Sequence, residues 1–177
     1  LYGGKPNNEV SAIRQLLTDD PHVESVHLFD GRSKGEFPGL LFDLFVVSGG
    51  PGDPNDNEAL WVSMFYQWLD GVWEYNLQHQ KKKQILLICH SFQMACIHFQ
   101  LGEVTERRSP TFGVFPVHLT DAGVVDPVLG RLENPAYVAD FRSFQVISPN
   151  LERFESIGAE ILALEKVRPH VPLERAI

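Results

Sequence analysis

The chain has 177 residues and a formal net charge of −8, with 44% hydrophobic and 21% charged residues. Such a chain can bury one sizeable core, and its acidic balance excludes nucleic acid as the main partner, because phosphate binding needs a basic surface. It has no apolar run of about 18 residues, so no membrane partner is expected, and two cysteines, Cys89 and Cys96, fit neither a disulfide framework nor a CxxC site and point to a reducing cytoplasm.

Leu1-Tyr2-Gly3-Gly4 reads as the exit of a strand that precedes it. Asn7 or Asn8 can cap a helix whose Val10, Ile13, Leu16 and Leu17 share one face. Val23 to Phe29 alternates in polarity and predicts a strand. Phe42 to Val47, almost wholly apolar, predicts a second and central one. Asp56 or Asn57 begins a long amphipathic helix carrying Trp61, Met64, Phe65, Trp68 and Val72 at helical spacing, a stripe that reads as core. Lys81-Lys82-Lys83 reads as a solvated loop. Ile85 to Ile88 predicts a buried strand, and Met94-Ala95-Cys96-Ile97 the helix after it. From Glu103 the pattern turns to short extended pieces, Val104–Glu106, Phe112–Leu119, Tyr137–Phe144 and Ala159–Leu164, separated by Asp121-Ala122-Gly123, Asn134-Pro135 and Ser148-Pro149-Asn150. A βα-alternating first half thus precedes a β-rich second half.

Two places carry chemistry. Cys89 lies between the end of a buried strand and the start of a helix, on a tight turn that would lift its side chain out of the sheet. There the free N–H groups and positive potential of the helix N-terminus favour the thiolate. The bland reading of the same residue is a small buried hydrophobe. Ser48-Gly49-Gly50-Pro51-Gly52 follows the other apolar strand, at the carboxyl edge where open α/β sheets bind ligands and where glycine lets backbone approach closely. A plain turn is its alternative. The loop lacks the Gly-Lys-Ser/Thr ending of a phosphate loop and is not GxGxxG. Among the histidines, His27 and His118 alternate with apolar residues on predicted strands, His98 is on the helix after Cys89, and His22 and His79 are in loops. No pair has HExxH spacing, so neither a metal nor a cofactor is expected.

The stretch Phe42-Asp43-Leu44-Phe45-Val46-Val47-Ser48-Gly49-Gly50-Pro51-Gly52 resembles the glycine loop of class I glutamine amidotransferases, and Ile88-Cys89-His90-Ser91-Phe92-Gln93 resembles that family's nucleophile turn. Leu101-Gly102-Glu103-Val104, Phe112-Gly113 through Asp126-Pro127, Asp140-Phe141-Arg142-Ser143-Phe144-Gln145-Val146 and Gly158 to Ala163 follow further family segments in order. The likeness spans nearly the whole chain. It departs at Leu87 and Ser91, where the family has glycine, and at Arg142, where it has histidine. The family's catalytic His-Pro-Glu has no counterpart; it belongs one strand beyond Pro172-Leu173-Glu174.

The resemblance implies a single domain over residues 1–177, a three-layer flavodoxin-like open sheet, mostly parallel, with a β-rich second half. It is expected to lack the family's first strand and its C-terminal histidine segment, both of which the natural chain is expected to carry. The implied activity is glutamine hydrolysis through a Cys89 thioester, with the amides of Gly50 and His90 as oxyanion donors. Gly49, Gln93, Ser143 and Phe144 would hold the substrate. Ammonia would pass to a synthase domain or subunit such as that of GMP synthase. A non-catalytic binding or regulatory relative, or a γ-glutamyl hydrolase-like peptidase, is the alternative.

Overall fold

The computed structural model describes residues 7–165 and 175–176. The expected exit strand at Leu1–Gly4 and the Pro172-Leu173-Glu174 segment lie outside them. The chain divides into two compact units, residues 1–95 and 96–177.

In the first unit, Asn7 caps α1 (Asn8–Thr18) as the sequence implies, its side chain accepting the Glu9 amide at 2.8 Å. Val10, Ile13 and Leu17 are half-buried, while Leu16 stands exposed. The short α2 (Gly31–Lys34), which the sequence reading did not contain, is closed by the Asp30 side chain at its start and by Gly35, at φ 65, at its end. Strands β1 (Leu44–Val47) and β2 (Gln84–Leu87) pair in parallel, and the 19-residue α3 (Leu60–Gln78) is the crossover between them. A parallel pair needs such a long connection.

The helix starts later than Asp56, because the Asp56 carboxylate instead accepts the Glu58 amide in a turn. Its buried stripe is Val62, Phe65, Leu69 and Val72, with Trp61, Met64 and Trp68 half-buried beside it. Phe45 of β1 meets Trp68 edge-on at 5.2 Å, Phe65 stacks on Trp68 at 6.1 Å, and the indole N–H donates to the Pro38 carbonyl at 3.0 Å. Such aromatic pairs add modestly to the area they bury. The Asn76 amide bonds both backbone groups of Lys83, at 2.7 and 2.9 Å, tying the end of α3 to the start of β2.

Residues 23–29 do not form the expected strand. Alternation alone does not make a strand without a partner for its ladder. His27 and Phe29 rest instead against the Phe42 ring, at 5.2 and 5.7 Å.

Helix α4 (His90–His98) carries the chain into the second unit. There β3 (Glu103–Glu106) and β4 (Gly113–Leu119) form one arm of an antiparallel ribbon, and β5 (Ala136–Asp140) and β6 (Phe144–Ile147) the other. Between the Glu103–Ile147 and Gly113–Asp140 pairs the first arm spends more residues than the second, so the register steps. The Arg107 amide on the Ser143 carbonyl and the Thr111 amide on the Arg142 carbonyl, at 2.8 and 2.9 Å, bridge the step. The single extended piece expected over 137–144 is therefore two strands.

The expected Asp121-Ala122-Gly123 turn is a short helix, α5 (Asp121–Val125), capped by Thr120. A further helix, α6 (Leu151–Ile157), precedes β7 (Ala163–Glu165) and β8 (Arg175–Ala176). The six strands run in the order β3-β6-β8-β7-β4-β5, every pairing antiparallel.

The protein is thus mixed α/β with a β-rich second half, but the expected mostly parallel open sheet is not what the described residues form. They contain one parallel pair and a larger antiparallel sheet. Among the described strands, β1 and β2 alone are paired across a crossover helix, and the doubling-back ribbon of the second half makes antiparallel pairing the geometric default.

Two glycines distinguish fold requirement from chance. A Cβ on Gly123 would collide with the Leu162 carbonyl oxygen, whereas one on Gly71, within α3, would meet nothing within 4 Å. Gly123→Ala should therefore destabilise by about 2 kcal/mol or more, and Gly71→Ala should stabilise by up to about 1 kcal/mol. Urea unfolding of the two variants, compared at equal m-value, checks both signs.

Candidate active site

Strand β2 ends at Leu87, and the Ile88 amide adds one more bond to the Val47 carbonyl at 3.0 Å. The chain then turns at once into α4. Cys89 takes the turn with φ 56, in the left-handed region that costs an L residue roughly 1–2 kcal/mol. The neighbouring Ser91 is fully buried, and its hydroxyl bonds the surrounding backbone. It accepts the Ile88 amide at 2.9 Å and lies 2.8 and 3.1 Å from the Val47 and Ile88 carbonyls, to which its one proton can be given. The Gln93 amide closes the first turn on the Cys89 carbonyl at 3.0 Å. Cys89 is half-buried, so its thiol is fixed by a rigid turn without being sealed in the core.

The glycine loop leaves the end of β1 and meets this turn. A Cβ on Gly49 would stand 3.2 Å from the Cys89 Cβ and 3.6 Å from the Ile88 carbonyl oxygen, a tight fit, so glycine lets the two backbones approach without either giving way. The Gly49 amide donates to the Glu9 carboxylate at 3.3 Å. Further along, the Pro51 carbonyl accepts from the Arg32 guanidinium at 2.6 Å, and Gly52 passes beneath that group at φ 111. Arg32 also lies over the Trp61 ring, 5.3 Å from its centre. Gly50 is half-buried between these two attachments.

Five of the expected residues, Gly49, Gly50, Cys89, His90 and Gln93, thus belong to the first unit, on two adjoining loops and the helix that follows. Gln93 is buried one helical turn beyond Cys89. Ser143 and Phe144 belong to the second unit, the first exposed and the second half-buried at the step in the ribbon. Around that step Arg142 binds Asp140 through two hydrogen bonds, at 2.6 and 2.9 Å, and Arg107 likewise binds Glu165, at 2.6 and 3.3 Å. Burial alone would push the Asp140 carboxyl up. The Arg142 guanidinium, with Thr111 and Arg107, outweighs it and holds the group below its ordinary value.

The two cysteines differ in burial, Cys89 being half-buried and Cys96 buried. Burial pushes the Cys96 thiol up to about 12, which keeps it protonated and inert. His90 is buried, and burial first, with the Arg32 charge adding to it, lowers its imidazole to about 4. At neutral pH it is an uncharged ring supporting the helix start.

Sequence reasoning missed Glu9, Arg32 and the work of the Ser91 hydroxyl. A first-turn glutamate reads as complementing the helix dipole, and nothing in a single sequence signals a bond across forty residues.

No protein-family model and no curated protein matches the sequence. Among solved structures, the chain is similar to SMU.1228c with a TM-score of 0.60 at 17% identity, over 92% of this chain and 64% of that one. That likeness is one of fold. The chain therefore spans less than two thirds of the length of that relative. A Thermoplasma acidophilum protein assigned provisionally as one component of GMP synthase aligns over 60% of this chain and 47% of its own, at 24% identity and a TM-score of 0.44. No helix among the described residues is long and apolar enough to cross a membrane.

The His90 environment makes a pH signature. Folding favours the neutral ring, so its contribution to stability is fully present above pH 6.5, the ordinary value, and is lost as pH falls towards about 4. Thermal unfolding from pH 7 to 4 should show a declining limb that flattens in His90→Asn.

Proposed function

We propose that the chain is a glutamine-hydrolysing amidotransferase domain of class I type. The observation that carries the reading is Cys89 itself, held at φ 56 between a parallel strand and a helix start, with a glycine loop close enough that a Gly49 Cβ would stand 3.2 Å from its own. The cysteine Sγ attacks the side-chain amide carbon of glutamine, and a C–S bond forms as the carbonyl electrons move onto oxygen. The Gly50 and His90 amides receive that oxyanion. The C–N bond then breaks, the proton given up by the thiol leaves with the nitrogen as ammonia, and water cleaves the thioester to glutamate and free thiol. Gly49 and Gln93 hold the amino-acid end of the substrate. Ammonia passes to a synthase domain or subunit in the cytoplasm, GMP synthase being the example the resemblance supplies.

Arg142 stands where the resemblance has a histidine, and Asp140 engages it. That departure supports a second reading, a binding module that keeps the fold without the chemistry.

Labelling separates the two. A glutamine-mimicking diazo-ketone should modify Cys89 and spare Cys96, whose thiol burial holds protonated. Equal labelling, or none, assigns the chain to the binding class. In the active protein, Gly50→Val should lower glutamine turnover roughly 100-fold, the effect of losing one oxyanion donor, with the unfolding midpoint nearly kept. Turnover near that of the unmodified protein would leave Gly50 as a turn residue only.

A further inference from the structure

The proposed chemistry gives no task to Glu9. Its place in the first turn of α1 would ordinarily be explained by the helix dipole, yet Asn7 already caps that helix and the Glu9 side chain reaches away from it. Its Oε1 accepts the Gly49 amide at 3.3 Å and would stand 3.5 Å from a Cβ on Gly49, a position itself 3.2 Å from the Cys89 Cβ. Two residues on, the Arg32 guanidinium takes the Pro51 carbonyl at 2.6 Å. The amide between these attachments is that of Gly50.

Two consecutive glycines have more backbone freedom than any other pair, and an unrestrained loop would spread the Gly50 N–H over many directions. A donor contributes to oxyanion stabilisation only when it is aimed beforehand. We propose that Glu9 is a positioning residue of this loop. By accepting the Gly49 amide it fixes the Ser48–Gly49 peptide, the Ser48 hydroxyl donates to the Gly49 carbonyl of the next at 3.2 Å, and Arg32 fixes the chain beyond, so the Gly50 amide is held in one orientation. The catalytic part of this role rests on the amidotransferase reading; the holding of the loop does not. What matters in Glu9 is an oxygen that accepts a hydrogen bond, rather than its charge.

Glu9→Ala and Glu9→Gln in the full chain test this. Exchange of the Gly49 and Gly50 amide hydrogens, followed by NMR, should quicken about tenfold in Glu9→Ala and return most of the way in Glu9→Gln, whose amide oxygen still accepts. Labelling of Cys89 by the diazo-ketone, whose carbonyl needs the oxyanion donors, should slow about tenfold in Glu9→Ala. Labelling by iodoacetamide, which does not need them, should hold, and in glutamine turnover kcat should fall with KM little changed. Unchanged exchange in Glu9→Ala overturns the inference, as does equal impairment in Glu9→Gln, which would make the charge decisive. A parallel loss of both labelling rates also overturns it, because the variant would then have disturbed the turn as a whole. If the unmodified protein ignores the diazo-ketone, the amidotransferase reading fails by itself, and the exchange comparison still decides whether Glu9 holds the loop.

Discussion

The left-handed backbone at Cys89 is the constraint on which the first unit depends. A non-glycine residue in that conformation persists only where its surroundings over-determine it. Here the determination comes from both sides. The β1–β2 pairing fixes the incoming strand through Ile88, and the Gln93 amide fixes the outgoing helix. The buried Ser91 hydroxyl joins the two, reaching the end of β1 as well as the end of β2. The cost of the turn, roughly 1–2 kcal/mol, is comparable to the net worth of one or two such hydrogen bonds. A turn held this way sets the direction of the thiol with little freedom to relax.

The second unit meets a different constraint, the step in its ribbon. Where the register changes, two backbone amides pair across the gap and four charged side chains gather, Arg107 with Glu165 and Arg142 with Asp140. Arg107 and Asp140 are buried, so each charge is costly unless its partner stays in place, and removing one partner of such a pair typically costs about 3–5 kcal/mol. Arg107 Nε and Gln145 Oε1 are buried without a hydrogen-bond partner among the described residues. The backbone at Ser143 is set by this network, its carbonyl taken by the Arg107 amide.

Much of the first unit was legible because its signals are local. Asn7 as a cap, the long stripe of α3 and the strand-turn-helix around Cys89 each follow from residues within one or two turns of one another. Within the stripe Phe65 and Val72 are buried as expected, while Val62 and Leu69 take the buried positions beside half-buried Trp61 and Trp68. What failed required partners distant in sequence. Residues 23–29 alternate correctly and still find no strand to pair with among the described residues. The β-rich second half was recognised as such, but antiparallel pairing and the break at Phe141-Arg142-Ser143 depend on which arm meets which. The candidate site divides the same way. Cys89 and the glycine loop announce themselves by composition, whereas Glu9 and Arg32 matter only because folding brings α1 and α2 against that loop.

The departures at Leu87 and Ser91 fit the turn once its hydrogen bonds are considered. Leu87 lies within the regular β1–β2 ladder, opposite Val47, where strand backbone asks nothing of glycine and a side chain can pack. The demand for a special conformation falls two residues later, on Cys89. Ser91 occupies a fully buried position, where a larger side chain would have to displace backbone and a glycine would leave the Ile88 amide only its bond to the Val47 carbonyl. Serine is small enough for the space and satisfies its own hydroxyl there, so burying that polar group carries little penalty. The serine thus supplies a side-chain tie between the ends of two parallel strands, a restraint where the thiol most needs one.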